Sequence, residues 1–175
     1  MVRAMFRLVV LAALAACGTA TDDRPTTLPY ITEAILQPTC GLAECHSTFT
    51  QAVGDVFDTV EGARASIVNN GLVVIPDNQA NPAQSRLIQA VTVGLPSLLS
   101  PGSGKVRMPY DAPMPSEDIK LLEKWIAGGA RGAQCIPSQG NVCVAPNQLT
   151  ECLSSGDLGA VIMTCPGMCI DGACQ

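Results

Sequence analysis

The chain has 175 residues and a formal net charge of −5. This length is enough for one ordinary domain and a small module, and the excess of acidic residues argues against nucleic acid as a partner. Only 3% of the residues are aromatic, which is few for a domain that must fill its own core.

Residues 1–16 have the pattern of an export signal. Arg3 and Arg7 precede an apolar run that is too short to span a bilayer. Cys17 follows two alanines, as in the lipobox of bacterial lipoproteins, and we expect it to carry a lipid anchor; a stray thiol at Cys17 is the alternative. Loss of the two arginines takes the formal charge from −5 to −7, and residues 17–27 are predicted to form a polar tether. The expected location is the bacterial cell envelope, on the periplasmic side or at the outer membrane.

A short helix predicted over residues 28–38 leads into a segment with a cysteine–histidine motif. Cys40 and Cys45 are followed directly by His46, the only histidine of the chain. In covalent haem attachment two cysteine thiols add to the porphyrin vinyl groups, and the next residue is a histidine that binds the iron. The usual spacing has two residues between the cysteines; this chain has four, and Gly41 gives the longer loop backbone freedom. We interpret the three residues as a covalent haem site.

Three other interpretations of this segment stay open. Cys40 and Cys45 could form a small-loop disulfide in an exported protein, with His46 on the surface. A structural zinc site is less favoured, because it needs four Cys or His ligands and the chain has no second histidine. A Cys–His hydrolase needs a third group that orients the histidine, and the sequence offers no candidate for it.

The next part of the chain contains short predicted elements. Residues 47–58 are predicted as a loop, and residues 60–68 as a helix with Thr59 as its N-cap. The apolar run 72–75 favours a strand-like connector. Asn81 precedes a proline, which predicts that it caps a further helix.

Residues 92–115 show neither a helical nor a strand period, and they contain five prolines. A loop of this length in a compact domain is usually functional. We expect this segment to wrap the far face of the haem and to present Met108. The alternative role for this methionine is gap filling in the core.

The last predicted helix begins at Ser116, which is expected to cap it, and ends at Gly128 and Gly129. Its predicted buried face consists of four apolar residues at helical spacing: Ile119, Leu122, Trp125 and Ile126.

The order of these pieces resembles the planctomycete-type cytochrome c domain over residues 28–133. The motifs that carry the resemblance are Ile35-Leu36-Gln37-Pro38, the segment from Cys40 to His46, Val74-Ile75-Pro76-Asp77, Ser85-Arg86-Leu87, Arg107-Met108-Pro109 and Trp125-Ile126-Ala127-Gly128-Gly129-Ala130. The wider cysteine spacing departs from the family pattern.

The resemblance implies a mainly α protein whose first domain is a cytochrome c-like helical domain with one covalent haem c. Members of the family are monohaem electron carriers or haem-bearing domains of larger proteins. By this resemblance His46 and Met108 are the axial iron ligands, with Met114 as the rival of Met108. The implied function is one-electron transfer with a redox partner protein, without an enzymatic reaction of its own. A haem subunit of a redox enzyme and a haem-free, disulfide-rich surface lipoprotein that binds a partner are the alternatives.

Residues 134–175 form a separate cysteine-rich module. They contain six cysteines: Cys135, Cys143, Cys152, Cys165, Cys169 and Cys174. So short a segment cannot bury enough apolar surface to fold unaided, so three disulfides are predicted, in one of fifteen possible pairings. Short strands are expected at residues 142–144, 148–150 and 160–163. The module resembles cysteine-rich repeats of exported bacterial surface proteins; a metal–thiolate cluster is the alternative.

Overall fold

The computed structural model describes residues 22–96, 104–110 and 112–175. Of these residues 36% are helical and 16% lie in strands, as five short helices and three small sheets. The prediction of a mainly α protein is therefore wrong. Proline inside a helix removes a backbone donor, and the 13 prolines of the chain keep the helices short. The predicted signal peptide and Cys17 lie outside the described residues.

Helix α1 occupies residues 28–39. It begins as the α-helix Leu28–Ile31, widens into a π-helical stretch, Thr32–Leu36, and ends as Gln37–Thr39. The leucine and isoleucine side chains of its first two parts are buried. The predicted helix is therefore present, and its last turn carries the chain into the cysteine–histidine segment.

Helix α2, Val60–Asn69, starts where the Thr59 hydroxyl accepts a hydrogen bond from the Gly62 amide at 3.1 Å. This confirms the predicted cap. The strand predicted at residues 72–75 does not form; two of its residues are buried in the core. Helix α3, Asp77–Ala80, follows directly.

Helix α4, Arg86–Val91, begins after a 3-10 turn, Pro82–Gln84. The Ser85 hydroxyl caps the helix by accepting a hydrogen bond from the Ile88 amide at 3.2 Å. The prediction that Asn81 is the cap was wrong, because the proline after it starts the 3-10 turn and the helix begins only beyond that turn.

A small antiparallel pair of strands follows α4 and lies against it. Strand β1, Leu95–Pro96, pairs with strand β2, Lys105–Val106. Gly94 has a φ of +81°, and a Cβ there would lie 2.7 Å from the carbonyl carbon of Val106. Only glycine permits this close approach, so Gly94 fixes where strand β2 and the residues after it lie.

Helix α5, Ser116–Ala127, supplies the centre of the main core. The prediction that Ser116 caps it was wrong, because Pro115 holds the cap position and Ser116 is already the first residue of the helix. Its fully buried side chains are Leu121, Leu122, Trp125 and Ile126. The Trp125 indole N–H donates to the Arg131 carbonyl at 3.0 Å, so the one polar group of this side chain is satisfied. Ile119, which was predicted on the buried face, is only partly buried. Each large apolar side chain buried here contributes roughly 1.5–3 kcal/mol.

The C-terminal module consists of two small antiparallel sheets. Strands β3, Val142–Ala145, β4, Gln148–Cys152, and β5, Leu158–Thr164, form a sheet in the order β3-β4-β5. Strands β6, Cys169–Ile170, and β7, Ala173–Cys174, form a hairpin. The three strands predicted for this module overlap β3, β4 and β5.

The predicted disulfides of the module are confirmed. The three bridges are Cys135–Cys152, Cys143–Cys169 and Cys165–Cys174. The apolar core of the module is small, because Leu149 is the one member of its buried hydrophobic cluster that is not a cysteine. The bridges therefore replace the stability that a larger apolar core would provide.

Side-chain and backbone hydrogen bonds attach the module to the helical part. Arg64 of α2 donates from Nε to the Gly132 carbonyl at 2.7 Å and from Nη2 to the Ser155 carbonyl at 3.2 Å. The Gly132 amide in turn donates to Asp157 at 2.7 Å. These contacts join α2, the chain after α5 and the loop before β5.

The described end of the predicted tether contacts α5. Arg24 pairs with Asp118 at 2.6 Å and with Asp22 at 2.8 Å, and Lys124 donates to the Asp22 carbonyl at 2.8 Å. The hydrogen bonds that Asp22 accepts from Arg24 lower the pKa of the Asp22 carboxyl to about 2. Within the described ranges no helix has the length and apolar character needed to cross a membrane.

Candidate functional site

The segment from Cys40 to His46 is a closed loop on the end of α1. The Cys40 amide donates to the Leu36 carbonyl at 2.7 Å, which continues the helical pattern, and the His46 amide donates back to the Cys40 carbonyl at 3.1 Å. The second bond joins the first cysteine directly to the histidine. The four residues between the cysteines are therefore accommodated without separating the ends of the motif.

Gly41 allows this loop to lie against the following segment. A Cβ on Gly41 would come within 2.9 Å of backbone atoms of Phe57 and Asp58. No side chain fits there without a shift of the backbone. Asp58 is itself fixed, because its carboxylate accepts hydrogen bonds from the amide and hydroxyl of Thr48, which lower its pKa.

The imidazole of His46 is oriented by a backbone carbonyl. Its Nδ1 lies 3.0 Å from the carbonyl oxygen of Ala52. A carbonyl can only accept, so Nδ1 carries the hydrogen and Nε2 carries the lone pair. The ring also meets Phe57 edge to face, with 5.5 Å between ring centroids. A histidine held in this way presents Nε2 as a metal ligand.

Both cysteines of the loop are free thiols. Cys40 is buried, and this burial raises the pKa of its thiol, an effect that the Thr39 hydroxyl opposes. Cys45 is half-buried. A disulfide between Cys40 and Cys45 is therefore not what the structure shows, although all six cysteines of the C-terminal module are bridged.

The two candidate methionines differ in their surroundings. Met108 is half-buried, and its amide donates to the Ala90 carbonyl of α4 at 2.8 Å. Met114 is only 4% exposed and packs in the main core together with Cys40. Met114 therefore fills the core, and Met108 has the more accessible thioether. The described hydrogen bonds do not join the Met108 segment to the loop of Cys45 and His46.

The sequence interpretation assigned no role to Arg107, the residue before Met108. Its side chain is half-buried, yet its Nη1 atom is buried and has no hydrogen-bond partner. The ion pairs formed among the described residues involve Arg24, not Arg107. A buried donor of a charged group without an acceptor is costly, which makes Arg107 a candidate for binding an anion. In the sequence, only its position directly before Met108, the candidate iron ligand, could have drawn attention to Arg107.

A separate cavity of about 130 Å³ lies between α2 and the loop before it. Its lining combines small or apolar residues with three polar ones: Gly54, Val56, Gly62, Ala65, Ser66, Asn69 and Asn70. Ligand pockets are usually larger, on the order of 300 to 1,000 Å³. This cavity is therefore too small for a porphyrin.

Comparison with known proteins identifies no family for this chain. Within the part of the chain that the structure describes, no group of three or more His, Cys, Asp and Glu side chains is arranged to hold a metal ion by itself. The chain matches no protein-family model, no curated protein and no solved structure. The resemblance to the planctomycete-type cytochrome c domain therefore rests on the motif residues alone.

Proposed function

We propose that this protein binds one haem c covalently and carries single electrons at the bacterial cell envelope, tethered through a lipid on Cys17. The loop that closes at His46 carries the proposal. This loop brings together two free thiols, Cys40 and Cys45, and an imidazole whose Nε2 lone pair is available, and a backbone hydrogen bond closes it. These are the groups that covalent haem attachment requires.

Each residue of the loop has a defined role in this proposal. The thiols of Cys40 and Cys45 add across the two vinyl groups, so that each S–H bond is replaced by a carbon–sulfur bond and the hydrogen passes to the neighbouring carbon. His46 binds iron through Nε2, and the Ala52 carbonyl orients the ring. Met108 supplies the second axial ligand, which raises the reduction potential. When bound, haem supplies the ferric/ferrous couple.

The distribution of exposed apolar side chains supports this assignment. Leu42, Phe49 and Val53 surround the loop and are 52%, 90% and 49% exposed. Val93 and Tyr110 flank the Met108 segment and are 62% and 61% exposed. Apolar surface of this extent near two proposed ligands is costly in water. A porphyrin is the kind of apolar group that would cover it.

The test is expression with an export signal and the cytochrome maturation machinery, followed by intact-mass analysis under denaturing conditions. We expect a mass increase of one haem that survives denaturation, together with the absorption bands of six-coordinate iron. Substitution of both cysteines, Cys40→Ser with Cys45→Ser, should abolish the covalent mass increase. Met108→Ala should give high-spin iron and a lower potential.

Two outcomes would contradict the proposal. A colourless wild-type protein, made where a known cytochrome c matures in parallel, would remove haem from the function. Unchanged spectra in Met108→Ala would remove Met108 as the ligand and make Met114→Ala the next variant.

A haem-free lipoprotein that binds a partner is a second candidate, and the C-terminal sheet favours it. Strand β5 is an edge strand that pairs only with β4, and five of its seven residues are exposed. Three consecutive apolar residues, Val161, Ile162 and Met163, are each about half exposed. The intact-mass measurement distinguishes the two candidates, because a haem-free lipoprotein shows no covalently bound haem mass.

A further inference from the structure

Arg107 is positioned by the backbone contacts that position Met108. It directly follows strand β2, and Gly94 lets this part of the chain approach α4, because a Cβ on Gly94 would lie 2.9 Å from the Arg107 nitrogen. On the other side, the Met108 amide is bonded to the Ala90 carbonyl at 2.8 Å. The start of the arginine side chain is thus held in place on both sides.

The arginine ends in a donor that the described chain leaves without an acceptor. Nη1 of Arg107 is buried and has no hydrogen-bond partner in the structure. Lys105, two residues earlier on strand β2, provides a contrast, because its side chain is exposed and needs no protein partner. A guanidinium with a buried N–H is normally matched by a carboxylate or phosphate, which its planar fork can bind with two parallel hydrogen bonds.

We propose that Arg107 is the residue that binds a carboxylate of the haem, one of its two propionates. This inference rests on the proposed haem function and adds to it a positioning residue on the side of the haem that Met108 faces. Consecutive Cα atoms are about 3.8 Å apart, so a group that Met108 touches is within reach of the long arginine side chain. The carboxylate would satisfy the buried donor and balance its charge.

The charge pair has two consequences that can be measured. A propionate that accepts hydrogen bonds from arginine vibrates differently from one that is bonded to water. A positive charge beside the haem also favours the reduced iron, because reduction adds a negative charge. Loss of Arg107 should therefore change the propionate vibration and lower the midpoint potential.

The experiment compares matured, haem-loaded wild-type protein with Arg107→Gln, Arg107→Lys and Lys105→Gln. The readouts are the propionate bending band in resonance Raman spectra and the midpoint potential. Lys105→Gln is the matched control, because it removes the same charge from an exposed position two residues earlier, on strand β2. We expect Arg107→Gln to shift the band and lower the potential, Arg107→Lys to shift the band by a smaller amount, and Lys105→Gln to leave the band unchanged.

An unchanged band in a red Arg107→Gln protein would overturn this inference while the haem function stands. An equal shift in Lys105→Gln would overturn it as well, since the effect would then be one of net charge. If Arg107→Gln does not mature, Arg107→Lys decides, because a lysine cannot reproduce the paired hydrogen bonds and an unchanged band would refute them. A wild-type protein without haem would instead overturn the proposed function, and this inference with it.

Discussion

The loop at the end of α1 and the C-terminal module use cysteine in opposite ways. In the module three bridges join strands and loops that lie far apart in the sequence, with separations of 9 to 26 residues. In the loop two cysteines only five positions apart stay as thiols, and the backbone hydrogen bond between Cys40 and His46 closes the turn. Cysteine cross-links the fold in the first region and remains unbridged in the second.

The comparison predicts a large difference in stability between two double variants. Cys143→Ser with Cys169→Ser opens the bridge with the largest separation, 26 residues, and should cost about 3.5 kcal/mol of unfolding free energy in the module. Cys40→Ser with Cys45→Ser, made in the haem-free protein, removes no bridge and should cost less than about 1.5 kcal/mol. Urea unfolding followed by circular dichroism measures both, and Trp125 fluorescence follows the main core separately. Equal losses in the two variants would contradict the distinction between the regions.

A second prediction concerns the order in which the two thiols of the loop react. In the haem-free protein we expect Cys45 to be alkylated to completion while most Cys40 remains unmodified near neutral pH. Burial hides Cys40 and raises its thiol pKa, which lowers the fraction of reactive thiolate, so its modification should accelerate as the pH rises. Peptide mapping by mass spectrometry under non-reducing conditions gives both rates. Recovery of a Cys40–Cys45 disulfide would contradict this prediction, because the loop would then use its cysteines as a bridge, as the module does.

The smallest expected effect is at the contact between the N-terminal segment and α5. Arg24→Ala should raise the pKa of Asp22 from about 2 toward its ordinary value of 3.8. A carboxylate with a lowered pKa contributes stability above its unfolded pKa and loses it as the pH falls through about 2. Since the pair is exposed and screened by solvent, the change in overall stability should be small. An NMR titration of the aspartates measures the pKa, with Asp58 as an internal control whose partner is Thr48. An unchanged pKa of Asp22 in Arg24→Ala would contradict the hydrogen bonds between Arg24 and Asp22.

Local features were predictable where neighbouring residues alone decide them. Thr59 caps α2 because the acceptor and the amide that it binds are three residues apart, and the apolar spacing of α5 identifies a buried helix face wherever the helix packs. Asn81 shows the limit of such reasoning. Its side chain is a good cap, but the proline after it begins a 3-10 turn, and Ser85 makes the bond instead.

The fold class was not predictable in the same way. The resemblance implied a mainly α protein, whereas strands and irregular segments occupy most of the described chain. Prolines shorten the helices, and the residues between them are held by contacts such as the one between Gly94 and Val106, which lie far apart in the sequence. No local pattern contains such a contact.

The sequence by itself determined the chemistry that is present: two cysteines beside the only histidine, six further cysteines in the last forty-odd residues, and an apolar helix ending in two glycines. Only the tertiary structure decided how that chemistry is arranged. It selected one of fifteen disulfide pairings, gave His46 its tautomer through Ala52, placed Met114 in the core and left a buried Arg107 donor without an acceptor. The physical reason is that hydrogen bonds, burial and disulfide reach depend on distances in space, which the order of residues specifies only after the chain has folded.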